Sequence, residues 1–398
     1  MVNYVFLSVY FYSVPNLRFR EFHTEWEKIQ IGNLIKERKE YTSDFEKYPL
    51  YSFTIESGIT PKSDRYERSF LVKKEGDLFK IVHQNDFVMN PMNLRFGALN
   101  YSKINQTVSV SGYYDIFTID ACKYNEFWNA YLKTPRMLYT YNTIATGSLV
   151  EKKRVYFKQL KELKMCIPSE MEKNKINEFI NLLNERIQTQ NKIIDDYMTY
   201  RNAIVDYFFE SLSSDWNRIK LSNILKEYSE LHVKDNSIVH ATLSKEGIFP
   251  KTDRYDRDFL VKDEDKKYKV THLNDICYNP ANLKFGVITR NTIGDCIISP
   301  IYVTFKIENG FLPKFVELLV TRKRFISRAR KYEQGTVYER MAVNSSDLLS
   351  MYVSIPSLNT QQTIVNIINN IDNKISNEKE LLKLYRAQKV YLLKNMFI

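Results

Sequence analysis

A stretch that begins at Pro61 is written again from Pro250, and this repeat limits the architecture more than any other feature. Pro61-Lys62-Ser63-Asp64-Arg65-Tyr66-Glu67-Arg68 returns as Pro250-Lys251-Thr252-Asp253-Arg254-Tyr255-Asp256-Arg257. Asn90-Pro91-Met92-Asn93-Leu94-Arg95-Phe96-Gly97 returns as Asn279-Pro280-Ala281-Asn282-Leu283-Lys284-Phe285-Gly286. Trp26 is echoed by Trp216, and Ile167-Pro168-Ser169 by Ile355-Pro356-Ser357. A period this long means a duplicated domain and not a solenoid, whose repeats are far shorter. At 398 residues each copy can bury a core of its own.

Each copy changes character partway. Short runs of Tyr, Phe, Val and Ile, broken by turn pairs such as Ser57-Gly58, Asn90-Pro91 and Asn279-Pro280, predict mixed, mostly β structure. After Ile-Pro-Ser the pattern turns helical, with Ser169 or Ser357 placed to cap the free first-turn amides. One apolar stripe runs Ile176, Ile180, Leu183, Ile187, Gln190, Ile194, Tyr197, Arg201, Ile204, Phe208. The other runs Ile364, Ile368, Ile371, Ile375, Glu378, Leu382, Tyr385, Lys389, Leu392, Met396. Sustained four-three spacing of this kind specifies a coiled-coil seam, on a helix roughly 50 Å long. Packing of each stripe on its own domain is the weaker alternative, because neither run contains Gly or Pro. The fold class expected is α+β: two mixed α/β domains separated by two long helices that form an antiparallel coiled coil, related by a pseudo-twofold repeat. Matching the polar seam residues sets Arg201 against Glu378 and Gln190 against Lys389, with Ile194 opposite Tyr385.

The net charge of +11 draws the chain toward polyanions. Cys122, Cys166, Cys277 and Cys296 are scattered without a CxxC pair, which argues against a disulfide framework or structural zinc and fits a reducing cytoplasm. Residues 1–13 lack a basic n-region and are too short to span a bilayer, so they read as a frayed extension or a mis-assigned start.

The whole layout resembles the specificity subunits of type I restriction–modification enzymes. The likeness rests on Val14-Pro15-Asn16-Leu17-Arg18-Phe19 with Glu25-Trp26-Glu27, and on Ile355-Pro356-Ser357-Leu358, Gln361-Gln362, Ile371-Asp372 and the closing Lys394-Asn395-Met396-Phe397. Ser299-Pro300-Ile301-Tyr302 and Gly335-Thr336 match elements late in a target-recognition domain. Glu172-Lys173-Asn174 departs from the Gln-Gln pair and reads as drift that leaves the helix start unaltered. The resemblance implies an N-terminal segment over 1–25 and target-recognition domains over 26–168 and 216–356. Conserved helices follow over 169–210 and 357–398, with a linker over 211–215. It implies that each recognition domain reads one half of a bipartite site in double-stranded DNA. The helices would act as a spacer, docking two modification subunits, with restriction subunits joining to cleave. Half-sites would lie about 34 Å apart, one turn of DNA. No cofactor is expected in this chain; a methyltransferase partner would use S-adenosylmethionine.

Three clusters are candidates for DNA contact. The repeated loop offers Lys62, Arg65, Tyr66 and Arg68, with Lys251, Arg254, Tyr255 and Arg257. Arginine forks suit guanine edges or phosphates, although Asp64–Arg65 and Asp253–Arg254 could merely brace a turn. Asn90, Asn93 and Arg95, repeated as Asn279, Asn282 and Lys284, read equally as adenine contacts or as a turn. The run from Arg322 to Lys331 carries six basic residues in ten; Arg322, Arg324, Arg328 and Arg330 suit one helical face that anchors phosphates. Its counterpart near Lys133–Arg136 is thinner. His83 and His272 recur in register and read as structural. Asn90-Pro91-Met92-Asn93 lacks the second Pro and the aromatic of an adenine methyltransferase loop, and no glycine-rich cofactor turn accompanies it. Acidic pairs such as Asp263 to Lys266 pin no metal-dependent nuclease. A non-catalytic reader is therefore expected. A specificity protein serving a methyltransferase alone, or a coiled-coil scaffold that binds no DNA, are the alternatives.

Overall fold

The computed structural model describes residues 14–55, 58–61, 78–148, 152–212, 215–233, 237–251, 267–334 and 341–398. The chain divides into two compact units, Met1–Asn191 with Glu380–Ile398, and Lys192–Lys379.

Each unit is built on a four-stranded antiparallel sheet. In the first the order is Ile35–Arg38, Asp115–Ile119, Phe87–Met89, Leu99–Tyr101. In the second it is Leu225–Tyr228, Val303–Ile307, Ile276–Tyr278, Ile288–Arg290, the same four strands in the later copy of the repeat. Side chains alternate along a strand, so one strand serves two cores. Phe87 and Met89 enter a helix-side core and Val88 a sheet-side core. Ile276, Tyr278 and Cys277 divide in the same way. The sheet-side layer of the second unit is one five-stranded sheet, with Val239–Leu243 parallel to Cys296–Ile298. In the first unit the matching layer is a three-stranded sheet plus the hairpin Tyr51–Thr54/Gly58–Pro61, tied by the bridge Leu50–Ser109.

The helices are α1 (Asn125–Tyr131), α2 (Pro135–Ile144), α3 (Phe157–Glu162), α4 (Glu170–Ser211), α5 (Pro313–Thr321), α6 (Lys323–Ala329), α7 (Ser345–Ser350) and α8 (Leu358–Met396). Ser169 Oγ accepts the Glu172 amide at 3.3 Å and Ser357 Oγ the Thr360 amide at 3.3 Å, so both serines cap the long helices. A two-stranded sheet precedes each: Glu27–Gln30 with Lys164–Ile167, and Asn217–Lys220 with Tyr352–Ile355.

The seam follows the sequence-based expectation and the register departs from it. The stripe residues do face inward: Leu183, Gln190, Ile194, Ile375 and Leu382 are all buried. The ends of the stripes, however, run into the domain cores. Ile176, Ile180 and Met396 join the first helix-side core, and Ile364 and Ile368 join the second with Val205 and Phe209. Within the second unit Arg201 bonds Asp372, not Glu378, which pairs with Lys374 on its own helix. Within the first unit Lys389 bonds Asn184, not Gln190. Both contacts are displaced from the expected register by the same step, from Glu378 to Asp372 and from Gln190 to Asn184. The reason is that apolar helix ends seated in two cores outweigh the matching of a few polar seam positions, which gains little net stability.

The departure at Glu172-Lys173-Asn174 is not drift. Gln361 fastens the start of α8 by accepting the Leu312 amide at 3.0 Å and donating to the Pro356 carbonyl at 3.2 Å. Lys173, at the equivalent position of the first copy, is buried and reaches Asp120 at 2.8 Å, with Tyr124 and Trp128 rings beneath it. Glu172 takes a bidentate fork from Arg18 at 2.7 and 2.6 Å. An amide fastening in one copy is an ionic one in the other, and the left-handed run Asp120, Ala121, Cys122 and Tyr124 shapes the loop that supplies its carboxylate.

Candidate nucleic-acid interface

The Asn-Pro turn has the same geometry in both units. Asn90 Oδ1 accepts the Met92 amide at 3.0 Å, and Asn279 Oδ1 accepts the Ala281 amide at 3.1 Å. Both are occupied as turn-forming groups, so the turn reading holds for them. A short helical turn follows and closes on Gly97 (φ 86°) and Gly286 (φ 84°), a backbone that a side chain would strain. Leu94 and Leu283 plug it into the core. What remains at the surface is an Asn, a cation and a phenylalanine in each unit. Asn93, Asn282 and Lys284 are exposed, and Arg95 is half-buried. The Arg95 guanidinium lies 4.6 Å from the Phe96 ring centre and Lys284 Nζ 5.2 Å from that of Phe285. Those two rings are 57% and 63% exposed, more than isolated packing would leave a core former. An amide, a cation and an open aromatic face can hydrogen-bond a base edge, neutralise a phosphate and stack. The sequence shows this Phe only as part of the repeat; its exposure is a tertiary fact.

The basic run is not one helical face. The chain leaves helical geometry at Arg322 (φ −66°, ψ 142°), between α5 and α6, and Arg330 opens a further short turn. Arg322 turns inward, its guanidinium 4.0 Å from the Phe209 ring centre, and burial pushes its pKa down to about 10. It is a packing residue here, which corrects its expected place on an outer phosphate-binding face. Arg324 pairs with Glu210 at 2.7 Å, Arg328 donates to the Tyr352 carbonyl at 2.7 Å, and Arg330 lies 3.6 Å from Glu333; all three are exposed. Arg218 and Lys220, both exposed, gather over the Tyr352 ring at 5.0 and 5.9 Å. Sequence reasoning missed these two because they arrive from a strand far earlier in the chain. Arg322, Arg324 and Arg328 line a cavity of about 400 Å³ with Phe209, Trp216 and Ser354. In the first unit a cavity of about 230 Å³ with Lys28, Arg136 and Lys164 occupies the corresponding place.

Lys62, Arg65, Tyr66, Arg68, Arg254, Tyr255 and Arg257 lie outside the described residues, as do Asp263 to Lys266 and Gly335-Thr336. Lys251 stands at the edge of that segment, 3.1 Å from His240 Nε2. His83 bonds Glu40 at 2.8 Å, and His272 lies between Asp295 and Glu230 at 3.0 and 3.1 Å, both bracing turns. Among the described residues no helix is long and apolar enough to cross a membrane.

Residues 265–384 match the family model of the type I restriction modification DNA specificity domain. The structure is similar to the S subunit of a type I restriction–modification system from M. genitalium, at 14% identity and TM-score 0.50 over 97% of this chain and 99% of that one. Residues 265–384 thus carry a type I DNA specificity domain, and the chain shares the fold of a type I S subunit. A chain from a structural study of complex assembly and conformational transition in a type I system is similar at 10% identity and TM-score 0.57, over 94% of this chain and 97% of that one. No curated protein sequence matches. The family match falls on the second unit and much of α8. Shifted back by the repeat, the matched stretch corresponds to the same elements of the first unit, from Phe79–Val82 into α4. Recognition of DNA sequence within a type I system is the function that goes with it.

Proposed function

We propose that each unit reads one half of a bipartite site in double-stranded DNA, and that the chain contributes no catalytic group to the modification or cleavage it directs. The observation that carries this is the duplicated surface triad, Asn93-Arg95-Phe96 and Asn282-Lys284-Phe285, set on identical turns of equivalent sheets. Arg324, Arg328 and Arg330 hold the DNA backbone of one half-site, and the repeated segment, from Lys62 to Arg68 and from Lys251 to Arg257, adds base contacts. The partners are two modification subunits, which bring S-adenosylmethionine, and restriction subunits; the chain itself takes no cofactor and works in the cytoplasm.

The test is equilibrium binding to a cognate duplex and a random duplex, with the cognate motif taken from methylation mapping in cells carrying the system. Arg95→Ala or Lys284→Ala should cost roughly 1–3 kcal/mol on the cognate duplex and much less on the random one. Equal losses on both would make these residues backbone anchors. Absence of salt-sensitive binding would leave a protein-binding scaffold, and methylation without cleavage would leave a subunit serving a methyltransferase alone.

A further inference from the structure

The duplication supplies an internal control for charge balance, and at one place the balance fails. In the second unit Arg201 and Lys314 share Asp372, while Lys314 and Arg290 share Glu317 at 3.3 and 3.0 Å. Three cations alternate with two carboxylates. With the two helical stripes aligned on Ile176 and Ile364, Arg201 corresponds to Lys389 and Asp372 to Asn184. The first unit has thus kept the cation and lost the carboxylate. Its Lys389 bonds a neutral amide, and Lys103 and Lys133 converge on the same space. Glu126, buried and bonded by the Tyr101 hydroxyl at 2.8 Å and by Lys103, is the one carboxylate lining it among the described residues.

Together these groups line a cavity of about 370 Å³ between Leu99–Tyr101, α1 and the two long helices, all within the first unit. Asn129 Oδ1, on the same wall as Lys133, is buried without a donor among the described residues. A turn of that amide would present its NH2 to a ligand. Burial pushes the Lys133 amine down to about 8, with Lys389 and Lys103 adding to the effect against Glu126. Burial likewise lowers Lys389. Three ammonium groups around one carboxylate is a site that lacks an anion.

We propose that this cavity binds a phosphate group, held by Lys103, Lys133 and Lys389 in the place of the carboxylate that the second unit provides as Asp372. The group comes either from a free phosphate monoester or from a backbone phosphodiester of DNA. Sulfate-sized oxyanions fit the donor set, whereas a monovalent halide would leave the charge deficit half filled.

Lysine acetylation of the full chain at about pH 7, read by peptide mass spectrometry, tests this. A lysine near 8 holds roughly two hundredfold more neutral amine there than an ordinary lysine near 10.4, so Lys133 labels early. Inorganic phosphate should slow Lys133 labelling severalfold at an ionic strength where chloride does not. Asn184→Asp, which restores the second unit's arrangement, should fold at least as stably and abolish the protection. Protection by a duplex but not by inorganic phosphate, again lost in Asn184→Asp, would assign the group to DNA. The proposal is overturned if neither ligand protects, if chloride protects equally, or if Asn184→Asp is protected like the parent. Retention of the duplex by the parent chain is read separately, so failure here is distinct from failure of DNA recognition.

Discussion

At the scale of single residues, four arginines that look alike in the sequence do different work. Arg322 lies over the Phe209 ring with its charge largely buried, and that ring belongs to the core that seats the end of α4. Arg322→Ala should therefore lower stability, by about 1–2 kcal/mol for a desolvated cation–π contact, and leave the salt dependence of DNA binding as it was. Arg328→Ala and Arg330→Ala should do the reverse. Each is exposed, and each should flatten the slope of log affinity against log salt by about one unit on any duplex. Thermal melting and salt titration of the three variants separate these outcomes, and a slope change for Arg322→Ala alone would reverse the assignment. The asparagines divide similarly. Asn90 and Asn279 are spent on their turns, and Asn93 and Asn282 are left to make other contacts.

At the scale of elements, the long helices show where a heptad pattern stops being informative. It identifies the inward face of α4 and α8 correctly, since Ile194, Ile375 and Leu382 are buried where the stripe puts them. It does not choose among registers, because apolar residues recur at every turn and most slips bury a similar area. The choice falls to Phe209 against Trp216 and Phe315, at 5.4 and 5.2 Å, and to Phe397 against Trp26 and Tyr131, at 6.5 and 5.1 Å. These contacts fix each helix end in a core, and Arg201 then meets Asp372. Arg201→Cys combined with Asp372→Cys should crosslink readily in the folded protein, and Arg201→Cys combined with Glu378→Cys should not. Preferential joining of the second pair would restore the register expected from polar matching.

For the whole molecule, the two units repeat strand order, turn geometry and surface triad so closely that they should read related bases. The motif mapped by methylation sequencing is expected to have halves that approach reverse complements of one another. Unrelated halves would mean that specificity lies in the features the units do not share, such as Arg218 and Lys220 over Tyr352. The differences between the copies are themselves compensated. Lys173 with Asp120 stands where Gln361 serves the other helix, whereas beside Lys389 the amide of Asn184 stands where the second unit has the carboxylate of Asp372.

The sequence by itself determined the duplication, the alternation of β-rich units with helices, the capping serines and the Asn-Pro turns. Each of these is written in residues a few positions apart, where side-chain chemistry and backbone preference act locally. Only the tertiary structure decided the helix register, the inward turn of Arg322, the exposure of Phe96 and Phe285, and the ionic fastening by Lys173. Those depend on partners brought from distant parts of the chain by the packing of whole cores, and no local pattern records which apolar surface will be covered or which charge will find a neighbour.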